Sequence, residues 1–363
     1  MTRTRPSAVR RYGTQIWLDP GDAEVRRRAT AVILDVVKRY DVDGVHIDDY
    51  FYPYRENDSR GRVIDFPDGP TYDRYRLAGG RLARDDWRRN NVDTFVRDLY
   101  AAVKAAKPGV RVGISPFGIW RPGYPAGVDG LDAYKELYAD SRKWLVNGWL
   151  DYSAPQLYFG LGRPKQDHAA LLAWWAEQNP LGRHLWPGLY TSRVGAGRDP
   201  WTADAFLEQV RLTRAHPGAS GHVHFSMRAL QDGRGGLAAR LGAETYREPA
   251  LVPAATWLDR VPPPPARVEL RDIDGDSVTL ALRPGGDESS WLYVLRGRYG
   301  GVWSTDVIPG YYPFRALPRA RGGARLDRVA VQAVDRAGNL STVRTLGVGP
   351  VQAQGGEAGA SGR

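Results

Sequence analysis

The residues of this chain best suited to chemistry gather around one short apolar segment, VHID at 45–48. It ends in the pair Asp48-Asp49 and runs on into Tyr50, Phe51, Tyr52, Pro53 and Tyr54. Alternation along a strand puts His46 and Asp48 on one face, with Val45 and Ile47 on the other. Four later segments end in hydrogen-bonding or aromatic groups. These are Ser115, running on to Trp120 and Arg121; Gln156 and Tyr158; Tyr190 and Ser192; and His222, His224 and Ser226. Glycoside hydrolysis needs two carboxyl groups beside the scissile bond, one as nucleophile or base and one as acid. Aromatic faces stack on sugar rings, and Asn, Gln, Arg and Asp pair with sugar hydroxyls. Asp48 fits the first carboxyl role. Asp49 could share it, orient Asp48 or bind sugar. No second carboxylate is evident at the other four segment ends. The loop after the first segment supplies Asp65 and Asp68, and Asp85 and Asp86 precede Trp87-Arg88-Arg89-Asn90-Asn91.

Each feature also has a plainer explanation. An Asp-Asp pair at a strand end can cap the following turn, and His46 can be a packed, hydrogen-bonded side chain. WRRNN can be an ordinary helix start with surface charges, and Trp174-Trp175 can be helix packing. His222 and His224 share a face at i, i+2 spacing and could meet a metal together with Asp48. The chain has no recognised ligand motif, so no metal is expected. It also has no phosphate-cradling Gly loop and no G-x-S-x-G elbow, and no cofactor is expected.

The elements that must position these groups alternate helix and strand over the first ~250 residues. Asp22 is a candidate N-cap. After it, Val25, Ala29, Val32, Ile33, Val36, Val37 and Tyr40 recur at helical spacing. Strands are expected at 45–48, 110–115, 152–158, 184–190 and 221–226. Helices are expected near 91–106, 132–146, 167–178, 202–215 and 234–246. Five strands, each followed by a helix, predict a parallel sheet with right-handed crossovers, whose carboxyl ends carry the reactive groups. The run Pro262–Pro265 reads as a stiff linker. Beyond it lie short alternating strands at 267–271, 277–283, 291–296 and 328–335, separated by turn residues such as Asp274-Gly275 and Gly338-Asn339. They suggest a small β-sandwich. The tail from Gly349 is small and polar and is expected to be disordered.

The chain has 363 residues, 42% of them apolar and 25% charged, which excludes a disordered protein. No apolar run is long enough for a membrane span, and no signal peptide is visible. There is no Cys, so disulfide scaffolds, thiolate metal sites and Cys nucleophiles are excluded. Net charge is +10, and only six of the 51 basic residues are Lys. The Arg residues are scattered among acidic ones rather than clustered, which argues against a nucleic-acid partner. Biased codon usage explains them, and attraction to an anionic polymer such as a cell wall is open to them.

Taken in order, several segments resemble the glycosyl-hydrolase-like family 10. They are LDPG, VVKRYDVDGVHIDDYFYPY, DFPD, DWRRNNVD, GISPFGIWR, YADSRKWLVNGWLDYSAPQLYF and PALVPAATWLD. The family groups (β/α)8-barrel glycosidases of bacterial cell envelopes. The likeness covers about residues 15–259. The end of the chain, VAVQAVDRAGNLS, is similar to fibronectin type III-like modules. The resemblance implies a barrel represented here by five of eight strands over 1–259, a sandwich over 260–348 and a tail over 349–363. Family barrels begin three strands further upstream, so an N-terminally truncated chain is expected, which would also account for the absent signal peptide. The resemblance places the catalytic region at Asp48 and Asp49. Among the motif positions, Arg88, Asn90, Asn91, Trp120, Arg121, Gln156 and Tyr158 are expected to line the cleft, with His46, Tyr50, Tyr52 and Tyr190 as further substrate contacts. The implied activity is extracytoplasmic hydrolysis of a cell-envelope polysaccharide, such as the glycan strands of peptidoglycan. The alternative is a polysaccharide-binding protein without catalysis.

Overall fold

A computed structural model describes residues 6–272 and 276–349. The Asp274-Gly275 turn, and the expected disordered tail beyond Gly349, lie outside the described residues. The chain divides into two compact units between Thr245 and Tyr246, upstream of the expected boundary at 259/260. The segment before the Pro run is part of the second unit, with Ala255 N–H donating to Ala337 O at 2.7 Å and Asn339 Nδ2 donating to Asp259 O at 3.3 Å. The Pro run lies within that unit as well. A Cβ on Gly285 would sit 2.1 Å from Pro265 O, so only glycine allows this approach.

The first unit opens with a hairpin that the sequence pattern did not announce, β1 (Val9–Tyr12) and β2 (Gln15–Leu18), turning at Gly13 with φ +56°. Helix α1 (Ala23–Arg39) follows, with the Asp22 side chain capping Glu24 N as expected. Then come β3 (Gly44–Ile47), α2 (Gly69–Leu77), α3 (Arg84–Ala106) and β4 (Arg111–Ile114). The helix expected at 132–146 is instead two, α4 (Ala133–Glu136) and α5 (Ser141–Val146). Tyr138, between them, has φ +54°, which a continuous helix does not allow. The remainder is β5 (Tyr152–Ser153), α6 (His168–Glu177), β6 (His184–Leu185), β7 (Gly188–Leu189), α7 (Ala203–Ala215), β8 (Val223–His224), α8 (Met227–Gln231) and α9 (Leu237–Ala243).

All five expected parallel strands form. β3, β4, β5 and β6 pair in chain order. Bridges from Phe117 to Gln156 and from Gln156 to Gly188 continue the sheet to β7, which pairs parallel with β8. β6 and β7 are one expected strand, interrupted at Trp186-Pro187. No strand closes a ring from β8 back to β3 among the described residues. On the outer face Val45 and Ile47 pack with Val112, α1 residues Ile33 and Val37, and α3 residues Leu99 and Val103. That burial is what turns His46 and Asp48 to the other face.

The second unit is all-β. Strands β9 (Arg267–Asp272), β10 (Ser277–Arg283) and β13 (Phe314–Pro318) form one sheet. Strands β11 (Leu292–Tyr299), β12 (Val302–Pro309), β14 (Ala320–Arg321), β15 (Ala324–Val334) and β16 (Arg344–Gly347) form the other. Leu280 and Leu282 on one sheet meet Tyr293, Leu295, Val329 and Val331 on the other, giving the sandwich its core.

Candidate active site at the strand ends

Asp48 is the first residue beyond β3 and is exposed. Two donors reach its Oδ1: the Gln156 side-chain Nε2 at 2.9 Å and the Asp49 backbone N–H at 3.0 Å. The same Gln156 amide also donates to Ser115 O at 3.1 Å. The parallel register puts this amide, 108 residues away in sequence, beside the carboxylate. Among the described residues no hydrogen bond holds Asp48 Oδ2.

Beneath Asp48 on the same face, the His46 ring is bonded at both nitrogens. Nδ1 pairs with Tyr152 OH and Nε2 with Ser115 Oγ, each at 2.9 Å. The rings of His46 and Tyr152 stack at 5.6 Å. Gly113 makes room for this, since a Cβ there would stand 1.9 Å from the Tyr152 ring. Desolvation holds the His46 imidazole below its ordinary pKa, and the Asp48 charge works against that effect. The same cause pushes the Tyr152 hydroxyl up to about 12.

Asp49 is buried, and the Tyr54 hydroxyl donates to its Oδ2. Burial raises the Asp49 pKa and the Asp48 charge adds to it, while the Tyr54 hydrogen bond opposes. Neighbouring carboxylates therefore occupy unlike environments, one open to the cleft and one enclosed. Aromatic rings flank the pair. Tyr50 is 62% exposed and meets Tyr54 edge-on at 6.2 Å. Tyr158 lies 5.1 Å from Tyr190 and 5.3 Å from Phe225. Burial raises the Tyr158 pKa, and the charges of Asp48 and Asp49 raise it further.

Asp48, Asp49, His46, Tyr50, Gln156, Tyr158 and Tyr190 are thus brought to the strand ends. The other expected cleft residues find partners elsewhere. Arg88 is buried, donating through Nε and Nη2 to Asp68 at 2.8 and 2.7 Å and through Nη1 to Tyr138 OH at 2.7 Å. Tyr52 packs edge-on against Tyr138 in the same cluster, with ring centroids 5.0 Å apart. Asn91 is buried and accepts from Arg26 at 3.0 Å, while Asn90 is exposed on α3. Trp120 donates to Asp140 at 3.0 Å and stacks on Trp174, and Arg121 pairs with Asp132 at 3.4 Å. Two of the loop carboxylates, Asp65 and Asp68, face Arg84 and Arg88. His224 Nδ1 bonds to Thr191 Oγ1 at 2.8 Å, and no three metal-binding side chains converge among the described residues. Tyr54, named only as part of the aromatic run, and Phe225, not named at all, were given no site role by the sequence. The first is one more Tyr in an aromatic run, and the second a lone Phe beyond a strand.

Residues 1–203 match the profile of the family described as glycosyl hydrolase-like 10. Glycosyl hydrolase YngK of Bacillus subtilis (strain 168) is 36% identical over 300 residues, 79% of this chain and 57% of that protein. Glycosyl hydrolase DigH of Escherichia coli (strain K12) is 40% identical over 229 residues, 60% of this chain and 50% of that protein. The chain therefore spans about half the length of the curated relatives it matches. A fibronectin type III domain of human collagen XX shares 21% identity over 27% of this chain and all of that chain, with a TM-score of 0.21. The family profile extends across the strand that ends in Asp48 and Asp49. On that match the chain belongs to the glycosyl hydrolase-like 10 family.

Proposed function

We propose that this chain hydrolyses glycosidic bonds of a cell-envelope polysaccharide outside the cytoplasm, the glycan strands of peptidoglycan being the substrate class, with Asp48 as nucleophile or base. The observation that carries the proposal is the state of Asp48. Both donors land on Oδ1, so the carboxylate is oriented while Oδ2 is left for the reacting atom. A positioned carboxylate beside exposed rings is what a sugar-ring transition state requires. Gln156 and the Asp49 N–H hold the carboxylate, and Tyr50, Tyr158 and Tyr190 offer ring faces to the sugar. Asp49 is enclosed with Tyr54, so its part is to present its backbone N–H, and the acid is a different group.

The competing reading, a glycan-binding protein without catalysis, draws on that enclosure. Only one carboxylate of the pair is open to the cleft. Release of reducing ends from purified peptidoglycan decides between the two. The Asp48→Asn variant is expected to lose on the order of 10⁴-fold in rate while keeping the thermal midpoint of the wild type. Turnover equal to wild type removes Asp48 from the mechanism. Retention on the polymer with no new reducing ends from the wild-type chain establishes the binding reading.

A further inference from the structure

The β-sandwich carries a feature that the strand-end site does not use. Between β12 and β13 the chain reads Pro309-Gly310-Tyr311-Tyr312-Pro313-Phe314, and all three aromatic residues are exposed: Tyr311 at 76%, Tyr312 at 49% and Phe314 at 52%. Single exposed aromatics are common and need no explanation. Three within four residues, on a turn this firmly held, do. Gly310 N–H donates to Trp291 O at 2.8 Å, Tyr312 N–H to Pro309 O at 3.2 Å, and Leu282 N–H to Pro313 O at 2.8 Å. A Cβ on Gly310 would stand 1.7 Å from Ser290 O, so the backbone is pressed against the loop that leads into β11. The two tyrosine rings are side by side, with centroids 4.6 Å apart and planes 42° apart. The Arg271 guanidinium lies 5.9 Å from the Phe314 ring centre.

We propose that the Tyr311-Tyr312 pair is a second glycan-binding site, a stacking platform that holds the chain on an insoluble polysaccharide. The inference rests on the glycan reading of the strand-end site. The ring pair offers flat apolar faces of the size of a pyranose ring, with hydroxyls at the edge for the sugar's own hydroxyls. The turn is fixed before binding, so little ordering cost is incurred there. Area separates this occupant from a protein partner. A fully buried aromatic side chain contributes roughly 150–250 Å², so three part-exposed rings fall well short of the ~800 Å² per side of a stable protein interface. One or two sugar rings need no more than the platform supplies.

The test is co-sedimentation of the full chain with insoluble peptidoglycan, comparing wild type with Tyr311→Ala/Tyr312→Ala. The double variant is expected to bind about 10-fold more weakly, with unchanged thermal midpoint and unchanged release of reducing ends from soluble glycan fragments. Tyr311→Phe/Tyr312→Phe keeps the rings and is expected to stay within about twofold of wild type. Equal retention of wild type and the alanine variant overturns the platform, as does a wild-type chain that does not sediment with the polymer. A concentration-dependent dimer lost in the alanine variant also overturns it, since the pair would then join two copies of the chain. If no variant releases reducing ends, the hydrolase reading fails, while the sedimentation comparison still decides the platform.

Discussion

The sharpest perturbation of the strand-end site is one methyl group placed outside it. Gly118 follows β4, beside the bridge between Phe117 and Gln156. A Cβ at this position would stand 2.2 Å from the Gln156 carbonyl oxygen and 2.8 Å from its carbonyl carbon. The obstacle is backbone, so no side-chain rotation relieves it. The Gly118 side cannot retreat freely either, because its own carbonyl accepts from Trp175 Nε1 at 2.8 Å inside the core. Gln156 must therefore move by about 1 Å to restore van der Waals distance. Its amide holds Asp48 at 2.9 Å, and such a move takes that bond past the ~3.2 Å limit of a good N–H···O hydrogen bond. Gly118→Ala is expected to cost about 1–3 kcal/mol through overpacking, or roughly 2–12 °C in thermal midpoint for a unit of this size. Displacement of the carboxylate is expected to lower kcat/KM about 10²-fold. Gly109→Ala is the control, since nothing lies within 4 Å of a Cβ there. Thermal melting and reducing-end release read the two effects separately. Wild-type values in both would refute the packing argument. A lowered midpoint with full activity would refute the coupling of Gln156 to Asp48.

Two further outcomes follow from buried charge. Arg88→Met leaves the buried Asp68 carboxylate with Arg84 as its remaining cation and the Tyr52 hydroxyl at 3.4 Å and is expected to cost about 3 kcal/mol in urea unfolding. The double variant Arg88→Met/Asp68→Leu should recover part of that loss, and a double variant no more stable than the single one would contradict the pair's role. Burial holds the His222 and His224 imidazoles down to about 4, against about 6.5 in an unfolded chain. Between those values the unfolded state binds protons that the folded state refuses. The contribution is full above pH 6.5 and is lost as pH falls toward 4, by about 3 kcal/mol for each residue. His222→Asn/His224→Asn should flatten the fall of the urea midpoint between pH 7 and pH 4. A variant that falls as steeply as wild type would show that these histidines do not set it.

What was legible in the sequence, and what was not, divides along a physical line. A parallel sheet sends every strand's carboxyl end to the same side, so Asp48, Gln156 and Tyr190 could be grouped from strand ends alone. Alternation fixed the side that His46 and Asp48 share, because the opposite face, Val45 and Ile47, had to be buried. Residues on loops and helices had no such rule. Arg88, Trp120 and Arg121 stand in segments typical of the family, and nothing local tells whether a guanidinium or an indole turns to the cleft or to the core. That choice was made by Asp68, Asp140 and Asp132, each 11–20 residues away, the first meeting a buried guanidinium and the other two pairing with half-buried donors. Gly13 and Tyr138 show the same limit for the backbone. The first closes an unannounced hairpin, and the second splits an expected helix, both through positive φ that no apolar periodicity records. In the sandwich, β12 and β13 were passed over because their outward residues are not polar. Trp303 and Phe314 face solvent, so the apolar–polar alternation that marks a half-buried strand is blurred. The break in alternation that hid β12 and β13 also marks where the sandwich keeps aromatic surface uncovered, and the turn joining those two strands carries Tyr311 and Tyr312.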